Sequence, residues 1–599
     1  MLRQVESRKF IDTAKATLEI HGSFFRISIP RKRLVRCLEI DGLQGWQPSN
    51  DSLLEFAVLN NASALRIARL QQHDSGTFYL IFRGTSVISE TKRAGALPEE
   101  VILDIVFWND AAAIYFNRSG SWTVATNRAC SIPVFWRKTK DCHLFSNQAV
   151  PTLKAIHDNW EIDRIGWAEA LLWDTPLRER TILSDIHQIP AGHRLELSQS
   201  EVRLASYKTL KLSGPVAGNP VELAEEIDTL QRLAVEQAVG GLKNVIVPLS
   251  GGLDSRCILG YLLDLGKKTV TAISFGHAHS FELLYARRVA DTFCVPWRRY
   301  VLDRQHYLGD FTKVYLLSAG ISHLMHCHGI GAIKNQTDGK GQVLTGFMGD
   351  PVQGADCCLY PEITSADKAV DHLLKKALPR GDSVLEFFPQ DVVDGIREDI
   401  SKIYGDCAAK NDSASFDEYY FVVERQSKLI THIFNSMLPY CDSISFPFMC
   451  GDWARFFLSL APSLRINRYI YKLSLAKRFP KLTSIPDTSN YVPMAMSGRC
   501  AQIRHIQRHI TSSSQRILQT VTKGLMSFPN PFQTENLPYI INKVLHCKLE
   551  QATENLIKLG LMNKSLSTII KPRLFPKLSC HAAYRVISLN QLLESVGNL

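Results

Sequence analysis

A glycine-rich turn between a predicted strand and a predicted helix carries the most specific chemistry in the sequence. The β-branched apolar run at 245–247 leads into the sequence SGGLDS at 250–255, and an apolar stretch at 257–263 follows. Paired glycines let the backbone turn sharply, and several N–H groups and the positive end of the helix then meet at one place. Ser250 and Ser255 add hydroxyl donors, and Asp254 can bind a Mg²⁺ that screens phosphate charge. The turn is therefore predicted to bind the pyrophosphate part of ATP.

The turn is not an ordinary phosphate-binding loop of an NTPase. The Walker pattern G-x-x-x-x-G-K-[S/T] does not occur there, so a P-loop NTPase is not indicated. The simplest alternative is a strand-to-helix turn that binds nothing. The entering strand, the loop residues and the exiting helix agree with one another, and this agreement favours the nucleotide site.

The segments around the turn predict an open α/β sheet. Residues 269–275 have the β-branched and apolar composition of a second buried strand, and Gly276 ends it. Ser280 is a predicted N-cap for a helix whose apolar positions 281, 284, 285, 289 and 293 follow helical spacing. Ligands of such sheets bind beyond the carboxyl ends of the strands, which is where the turn is expected to lie.

The segment 250–255 resembles the signature loop of the N-type ATP pyrophosphatases, and in detail that of the asparagine synthetase family. The resemblance implies that ATP is cleaved between its α and β phosphates, that a carboxylate becomes an acyl-adenylate, and that a nitrogen nucleophile then attacks the acyl carbon. The segment 280–287 is similar to a family helix that carries an acidic pair followed by Tyr-Ala-Arg, with Phe281 where an Asp is common.

A second loop, at 344–350 with the sequence LTGFMGD, resembles the family's other phosphate-side loop. The resemblance places Asp350 opposite Asp254, and two carboxylates facing one pyrophosphate make chemical sense with Mg²⁺ between them. The alternative for Asp350 is a turn-forming residue before Pro351. The expected cofactors are ATP and Mg²⁺, with Asp254 and Asp350 as the catalytic and metal-binding residues. The expected ATP contacts are Leu249, Ser250, Gly251, Gly252, Asp254, Ser255, Ser274 and Gly346.

Two departures from the family pattern bear on the substrate. Phe347 and Pro351 stand where the family usually has Glu, which weakens free aspartate as the substrate. The family also tends to have a Lys a few residues beyond an Ile, whereas Pro486-Asp487-Thr488 follows Ile485 here. Such a lysine would stabilise negative charge that develops near the acyl-adenylate. Three lysines are unranked candidates for this role: Lys472, Lys477 and Lys481.

The N-terminal half is expected to be a degenerate glutamine amidotransferase-like domain. Residues 24–207 are rich in short apolar runs, and the segments 126–146 and 186–195 resemble the domain that precedes the synthetase domain in this family. The amidotransferase nucleophile is an N-terminal Cys, but this sequence has Leu2, and its first cysteine is Cys37. We therefore expect glutamine hydrolysis to be lost and the domain to act as a scaffold or docking wall.

These observations predict an α/β protein with three parts. Residues 1–212 form the N-terminal α+β, sandwich-like domain of the amidotransferase type, and 213–222 form a linker rich in Gly and Pro. Residues 223–599 form the ATP pyrophosphatase domain, a doubly wound parallel sheet with a helical C-terminal part.

The amino-acid composition indicates the cellular compartment and the classes of binding partner. The sequence is 45% hydrophobic and 21% charged, as in globular proteins with sizeable cores, and no apolar run could span a bilayer. Its 14 cysteines lack C-x-x-C spacing, so a reducing compartment, the cytoplasm, is expected. Much of the +11 charge lies in 465–523 without aromatic interleaving, which favours a solvated face or a substrate-attracting rim over nucleic acid. We expect no nucleic-acid and no membrane partner.

Three functions remain open from the sequence. The first is adenylation of a small-molecule or peptide carboxylate followed by amide formation with an unidentified nitrogen donor. The second is closure of a lactam or isopeptide within one substrate, as in the family's β-lactam synthetases and lasso-peptide cyclases. In the cyclase case, a precursor peptide and a protease are expected partners. The third is a nucleotide-binding scaffold whose site no longer turns over.

Overall fold

The computed structural model describes most of the chain, with gaps. The described residues are 24–30, 55–59, 66–72, 76–82, 99–117, 121–140, 142–149, 160–198, 201–208, 210–212, 214–240, 244–267, 269–336, 341–355, 357, 363–377, 388–409, 416–437, 440–496, 498–522, 528, 530–535, 540–563 and 577–595. The predictions that concern Leu2 and Cys37 lie outside these residues.

Sixteen strands are present in the described residues, and we number them in chain order. They are β1 (Phe24–Pro30), β2 (Glu55–Leu59), β3 (Arg66–Gln72), β4 (Gly76–Phe82), β5 (Ala111–Asn117), β6 (Trp122–Thr126), β7 (Phe135–Lys138), β8 (Cys142–Ser146), β9 (His187–Gln188), β10 (His193–Leu197), β11 (Val202–Ser206), β12 (Val245–Pro248), β13 (Val270–Gly276), β14 (Trp297–Val301), β15 (Gln342–Leu344) and β16 (Ser443–Ser445).

The α-helices of the described residues are numbered in the same way. They are α1 (Glu99–Trp108), α2 (Arg164–Trp173), α3 (Pro220–Val239), α4 (Leu253–Asp264), α5 (Phe281–Thr292), α6 (Arg304–Leu308), α7 (Thr312–Leu317), α8 (His328–Gln336), α9 (Gly349–Gln353), α10 (Ala366–Ala377), α11 (Gln390–Ala408), α12 (Phe416–Tyr419), α13 (Gln426–Met437), α14 (Gly451–Ser459), α15 (Pro462–Arg465), α16 (Tyr469–Arg478), α17 (Pro480–Thr483), α18 (Arg499–Val521), α19 (His546–Lys558) and α20 (Lys577–Ser595). Short 3₁₀ helices lie at Leu324–Cys327, Pro447–Met449, Ile466–Arg468 and Met494–Met496, and π-helical turns at Tyr420–Arg425 and Ile540–Val544.

Two antiparallel sheets make up the strand-rich N-terminal half. One has the order β2-β1-β8-β7-β9 and the other the order β11-β10-β6-β5-β4-β3. The side chains of β10 alternate between buried and partly buried, as expected for a strand with one face on a core. The predicted strands at 77–82 and 112–116 are β4 and β5, which pair with each other. The predicted α+β character of this half is confirmed.

A five-stranded parallel sheet forms the second half, in the order β14-β13-β12-β15-β16. The predicted strands at 245–247 and 269–275 are β12 and β13, and Ser280 caps α5 by accepting a hydrogen bond from the Leu283 N–H at 3.3 Å. The chain runs outward from β12 to β13 and β14, and then returns to β15 on the other side. The carboxyl ends of β12 and β15 therefore meet where the strand order reverses, which is the usual ligand position in such sheets.

The two halves share one continuous hydrophobic core. A single cluster of buried side chains includes Phe135 and Trp167 of the first half and Ile258 and Val343 of the second. The Arg128 guanidinium lies between the halves and donates to the backbone carbonyls of Trp108 at 2.5 Å and Met449 at 2.6 Å. Burial of this guanidinium lowers its pKa to about 10.

The segment predicted as a linker packs closely on the second half. The Val216 N–H donates to the Ser459 carbonyl at 2.9 Å, and a Cβ on Gly214 would lie 2.2 Å from the same oxygen. Glycine is therefore required at 214 by close backbone approach. Helix α3 begins at Pro220, inside the predicted linker.

Within the described residues, every helix is too short or too polar to cross a lipid bilayer.

Candidate functional site

The predicted nucleotide loop lies between β12 and α4 and is shaped by its own hydroxyl groups. The Ser255 hydroxyl accepts the Ser250 N–H at 2.9 Å and lies 2.9 Å from the Ser250 hydroxyl. The Ser250 hydroxyl also accepts the Gly252 N–H at 3.1 Å. Both serines thus fix the turn, and Gly252 precedes the first residue of α4 without a side-chain cap. The N-terminus of this 12-residue helix is consequently left to bind another anionic group.

Two other predicted contacts, Leu249 and Ser274, support the loop from behind. The side chain of Leu249 is buried, and its N–H donates to the Ile273 carbonyl at 2.8 Å. The buried Ser274 hydroxyl donates to the Leu249 carbonyl at 2.6 Å and accepts the Trp297 indole N–H at 2.9 Å. The structure therefore places both residues beneath the loop, where they tie β12 to β13.

The second predicted loop follows β15 and packs directly against Asp254. A Cβ on Gly346 would lie 2.9 Å from the Asp254 Cβ, and a Cβ on Gly349 would lie 2.7 Å from the Asp254 Cγ. Met348 between them has a φ of 70°, in the left-handed region. The sequence Gly346-Phe347-Met348-Gly349 thus lets the two loops approach more closely than other residues would allow.

Asp254 and Asp350 share one cation, which is a side chain of the protein. The guanidinium of Arg468 donates to the Asp254 carboxylate through one terminal nitrogen and contacts the Asp350 carboxylate through the other. The side chain of Asp254 is largely buried, whereas that of Asp350 is 56% exposed at the mouth of the site. The structure therefore brings the two predicted carboxylates together, across Arg468.

Arg468 is held in this position by its surroundings. Its Nε donates to the Gln353 amide oxygen at 2.8 Å, and its guanidinium carbon lies 4.5 Å from the Tyr471 ring centroid. Asn467 and Arg468 themselves have φ values of 54° and 60°. Two consecutive non-glycine residues in the left-handed region are strained, and such strain is concentrated at functional sites. The backbone conformation places this arginine between the loops.

A second arginine, Arg256, fastens the segment after α17 to the nucleotide loop. The fully buried guanidinium of Arg256 donates to the carbonyls of Ile485 and Gly251, both at 2.9 Å, and of Pro486 at 2.5 Å. Burial lowers the pKa of Arg256 to about 10. The Thr488 N–H then donates to the Gly251 carbonyl at 2.9 Å. The segment 485–488, where a lysine is usual in the family, thus lies against the loop.

Glu282, from the helix segment similar to the family's acidic pair, also contacts the loop. Its carboxylate bonds to the Gly251 N–H and to the Thr488 hydroxyl. Desolvation raises the pKa of Glu282, while these bonds and Arg256 oppose that rise. A carboxylate oxygen of the protein thus already accepts the Gly251 N–H of the turn.

The structure ranks the three candidate lysines. Lys477 pairs with Glu225 at 2.5 Å on the surface, and Lys481 is exposed. Lys472 is partly buried on α16, and desolvation together with the positive charge of Arg468 lowers its pKa, while Asp487 opposes this. Lys472 is therefore the candidate that lies within the influence of Arg468, which contacts the paired carboxylates.

The carboxylate pair fits the cation that the resemblance implies. Mg²⁺ is bound by hard oxygen donors, usually one or two carboxylates together with phosphate oxygens and water. Asp254 and Asp350 already converge on one positive group, and the partly exposed Asp350 leaves that point accessible. These two residues would hold the metal, and Arg468 would have to yield one or both carboxylates to it.

Another buried cluster, Asp174 with His323 and His326, has ligand atoms close enough for a metal. Its hydrogen bonds indicate a different role. The Nδ1 atom of His323 accepts the Met325 N–H at 3.3 Å, and that of His326 accepts the His323 N–H at 3.2 Å. The Nε2 atom of each ring faces Asp174, and that of His326 also lies 2.8 Å from the His432 Nδ1. The arrangement is suited to hydrogen bonding between α2 and the segment after α7.

Among the described residues, sequence reasoning missed Arg256 and Arg468. Arg256 directly follows the SGGLDS segment, and an arginine at a buried helical position signals a paired structural group. Arg468 has no comparable local signal, because its role depends on the path of a segment 214 positions away from Asp254.

Comparisons with known proteins match the part of the chain that contains the SGGLDS loop. Residues 226–320 match the family model described as asparagine synthase. No curated protein matches the chain.

Solved structures give distant likenesses. A glutamine phosphoribosylpyrophosphate amidotransferase from B. subtilis, complexed with ADP and GMP, is 8% identical with a TM-score of 0.18 over 47% of this chain and 59% of that chain. The U34-tRNA thiolase NcsA from Methanococcus maripaludis, with its [4Fe-4S] cluster, is 14% identical with a TM-score of 0.18 over 38% and 89%. The chain thus spans 59% of the length of the first structure. A TM-score of 0.18 does not establish a shared fold with either protein.

The matched segment begins in α3, contains the whole SGGLDS loop with β12, α4, β13 and α5, and ends after α7. Residues 226–320 therefore belong to the asparagine synthase family of ATP-using, ligase-type enzymes, as the resemblance of the loop predicted.

Proposed function

We propose that this protein activates a carboxylate with ATP and transfers the acyl group to nitrogen. The carboxylate oxygen attacks the α-phosphorus of ATP, the bond between the α-phosphorus and the bridging oxygen to the β-phosphate breaks, and pyrophosphate leaves. A nitrogen nucleophile then attacks the acyl carbon of the acyl-adenylate, AMP leaves, and a proton is lost from the nitrogen. The products are an amide, AMP and pyrophosphate.

The observation that carries this proposal is the meeting of two loops at one edge of the parallel sheet. The SGGLDS turn presents the N-terminus of α4, which has no side-chain cap, and the loop after β15 brings Asp350 to Asp254. A helix N-terminus and a carboxylate pair at one place suit a bound metal pyrophosphate. Asp254 and Asp350 would hold Mg²⁺, which supplies neutralisation of the leaving pyrophosphate charge.

Lys472 and Arg468 are the positive groups that we assign to the phosphates and the acyl centre. Both lie on one turn around the start of α16, and Arg468 already contacts the carboxylate pair. Positive groups fixed near developing negative charge lower the barrier of acyl transfer. Thr488, at the position of the segment where the family tends to have lysine, can donate a hydrogen bond but carries no charge.

The proposal includes no glutaminase step. In the N-terminal half, Arg128 lies in the segment that resembles the amidotransferase domain, and its guanidinium is buried against backbone carbonyls at the junction of the halves. This supports a structural role for that segment. Ammonia, or an amine of the substrate itself, would then be the nucleophile, and the latter case closes a lactam or isopeptide ring.

A catalytically silent nucleotide-binding scaffold is the second candidate, and two observations favour it. Arg468 occupies the space between the carboxylates that a metal would need, so a tightly fixed arginine would leave the site without Mg²⁺. The absence of a lysine at 486–488 points in the same direction.

Trapping with hydroxylamine separates the two candidates. The purified protein would be incubated with ATP, Mg²⁺, hydroxylamine and a panel of amino-acid, dicarboxylic and peptide carboxylates. An acyl-adenylate gives a hydroxamate together with AMP and pyrophosphate, in equal amounts. Hydroxamate from any carboxylate excludes the silent scaffold. Bound ATP with neither AMP nor hydroxamate across the panel would contradict the ligase and support the scaffold.

A further inference from the structure

Arg465 is a fully buried arginine that joins three separate segments of the chain. Through one terminal nitrogen its guanidinium donates to the Glu418 carboxylate at 2.8 Å and to the Val352 carbonyl at 3.2 Å. Through the other it donates to the Leu212 carbonyl. The side chain of Glu418 is buried as well. These partners lie on α12, on α9 and just before the predicted linker, so one side chain ties together regions that are distant in the sequence.

Three consecutive residues at the end of α9 contact the segment that carries Arg468. The Val352 carbonyl accepts a hydrogen bond from Arg465, and the Gln353 amide oxygen accepts one from the Arg468 Nε at 2.8 Å. Gly354 has a φ of 93°, and a Cβ there would lie 2.7 Å from the Arg465 carbonyl oxygen. Glycine is thus required at 354 by close backbone approach. The end of α9 and the segment before α16 therefore interlock.

The interlocked segments carry two of the groups that meet at the candidate site. Asp350 lies in the first turn of α9, two residues before Val352, and Arg468 lies three residues after Arg465. The guanidinium of Arg468 contacts the Asp350 carboxylate. The bonds of Arg465 thus act on the site from behind, through the backbone of α9 and through the chain that leads to Arg468.

The turn that follows Arg465 needs to be held by its surroundings. Asn467 and Arg468 have φ values of 54° and 60°, and non-glycine residues in the left-handed region persist only where the surrounding structure holds them. Arg465 fixes the chain just before this turn. Gln353 and the Tyr471 ring fix the guanidinium at its end. Without Arg465 the turn would relax, and Arg468 would leave its place between the two loops.

A buried ion pair such as that of Arg465 and Glu418 is suited to setting geometry. The lost hydration of two buried charges offsets most of their attraction, so apolar side chains of similar size are often equally stable. The planar guanidinium of an arginine, by contrast, holds several acceptors in one fixed arrangement, which an apolar side chain cannot do. The acceptors here come from three segments, and one of them belongs to the helix that carries Asp350.

We infer that Arg465 is a positioning residue of the candidate site and that Glu418 orients it. Arg465 holds α9 and the turn at 466–468 together as one unit, so that Asp350 and Arg468 are presented to the nucleotide in a fixed arrangement. The role assigned to Arg465 rests on the proposed function, because it requires that the two loops bind the magnesium complex of ATP. It does not require turnover.

Calorimetric titration of the full chain with ATP in the presence of Mg²⁺ tests the inference. The double variant Arg465→Met/Glu418→Leu removes both charges at once and leaves neither of them unpaired, so we expect it to fold and to keep the wild-type circular dichroism spectrum. Its affinity for the magnesium complex of ATP should fall about tenfold or more, because Asp350 and Arg468 lose their fixed positions.

Arg180→Met/Asp399→Leu is the matched control. It removes another largely buried ion pair, with a distance of 2.5 Å between the Arg180 Nε and the Asp399 carboxylate, and should keep the wild-type affinity. Arg465→Lys serves where the first double variant does not fold. It keeps a charge opposite Glu418, but one ammonium cannot reach all three acceptors, so its affinity should fall in the same direction by a smaller factor.

A second background separates positioning from a general loosening of the fold. In Asp350→Ala there is no carboxylate to position, so Arg465→Met/Glu418→Leu should lower the affinity there by a smaller factor, about threefold or less. General loosening would lower the affinity by the same factor with and without the Asp350 carboxylate.

Three results would overturn the role assigned to Arg465. They are a wild-type affinity in the folded Arg465 variants, an equal loss in the Arg180→Met/Asp399→Leu control, and an equal loss in both Asp350 backgrounds. A wild type that binds the magnesium complex of ATP but yields no hydroxamate would contradict the ligase alone, and the affinities of the variants still decide the role of Arg465. A wild type that does not bind the complex would contradict both.

Discussion

The guanidinium of Arg468 hydrogen bonds to the carboxylate of Asp254, although the two residues lie 214 positions apart in the sequence. Through its other terminal nitrogen the same guanidinium contacts Asp350, so one arginine neutralises both carboxylates. Mutual repulsion of the two carboxylates is thereby relieved, and the two loops stay close together. Asp254 and Asp350 would hold Mg²⁺ only if Arg468 gave up one or both of these contacts.

Replacement of Arg468 should therefore have two effects, one on the free energy of unfolding and one on the magnesium concentration that stabilises the protein. Arg468→Gln leaves a largely buried carboxylate without its partner and should lower the free energy of unfolding by about 3 kcal/mol. The same change frees Asp254 and Asp350, so half-maximal stabilisation by Mg²⁺ without ATP should need less metal than in the wild type. Thermal denaturation over a magnesium titration measures both effects.

Arg468→Lys is the matched variant, because it keeps the charge but cannot bridge two carboxylates through a planar fork. It should lie between the wild type and the glutamine variant in stability. An unchanged magnesium dependence in Arg468→Gln would contradict the exchange of carboxylates between arginine and metal.

The glycines of the second loop should be intolerant of even one methyl group. Gly349→Ala places a Cβ 2.7 Å from the Asp254 Cγ, so the carboxylate must move. We expect ATP affinity, measured by calorimetry, to fall about tenfold or more while the circular dichroism spectrum stays unchanged.

Gly405→Ala is the control for this substitution. Gly405 lies inside α11, and a Cβ there would meet nothing within 4 Å. Alanine favours helix over glycine, so this variant should keep wild-type ATP affinity and gain up to about 1 kcal/mol of stability. Equal ATP affinities for the two variants would show that the contact with Asp254 is unimportant.

The planar guanidinium of Arg256 should be essential for holding residues 485–488 against the nucleotide loop. Arg256→Lys retains a charge but cannot reach the carbonyls of Gly251, Ile485 and Pro486 together, so we expect a loss of about 2 kcal/mol in the free energy of unfolding. Arg478→Lys changes a more exposed arginine that pairs with Asp264 and should cost well under 1 kcal/mol. Similar losses in urea denaturation for both variants would refute the structural role assigned to Arg256.

Lys428 lies at the junction of the two halves. Its surroundings predict that the free energy of unfolding depends on pH in the alkaline range. Its ammonium donates to the Arg180 carbonyl at 3.0 Å and the Gln188 amide oxygen at 3.3 Å, and desolvation lowers its pKa from 10.5 to about 8. Between pH 8 and 10.5 the unfolded chain binds more protons at this residue than the folded chain. The contribution of Lys428 to the free energy of unfolding therefore rises with pH, by up to about 3 kcal/mol.

Urea denaturation of the wild type and Lys428→Met between pH 7.5 and 10 measures this contribution. Other groups titrate in the same window, so the difference between the two proteins is the relevant quantity. The free energy of unfolding of the wild type should increase relative to that of Lys428→Met as the pH rises. A difference that stays constant with pH would show that Lys428 keeps its ordinary pKa in the folded protein.

Local patterns predicted β12, β13, the N-cap at Ser280 and the antiparallel pair β4–β5, because strand composition, helical spacing and capping are properties of neighbouring residues. The approach of the second loop to Asp254 followed from the family resemblance. Arg468 was missed since its position depends on a left-handed turn at 467–468 and on a distant chain path. The lysines could not be ranked because their partners, such as Glu225, come from other elements. The bounds proposed for the three parts remain a prediction.

Helix α18 shows the same limit of sequence-based prediction for a surface element. The basic stretch was expected to be a solvated face or a substrate-attracting rim. The spacing of Ile503, Ile506, Ile510 and Ile517 was present in the sequence, but a helical apolar row most often faces a core. The structure shows that this row faces outward, because its side chains are exposed and the opposite residues, Ala501 and Gln515, are buried.

ATP–pyrophosphate exchange tests the central claim most directly, since it reports reversible acyl-adenylate formation at the paired loops. With labelled pyrophosphate, Mg²⁺ and a carboxylate that yields a hydroxamate, the wild type should incorporate label into ATP. Asp254→Asn should lower that rate about 100-fold or more, and Asp264→Asn, at the far end of the same helix, should leave it unchanged. Exchange that Asp254→Asn does not diminish, or no exchange by the wild type with any carboxylate, would contradict the account.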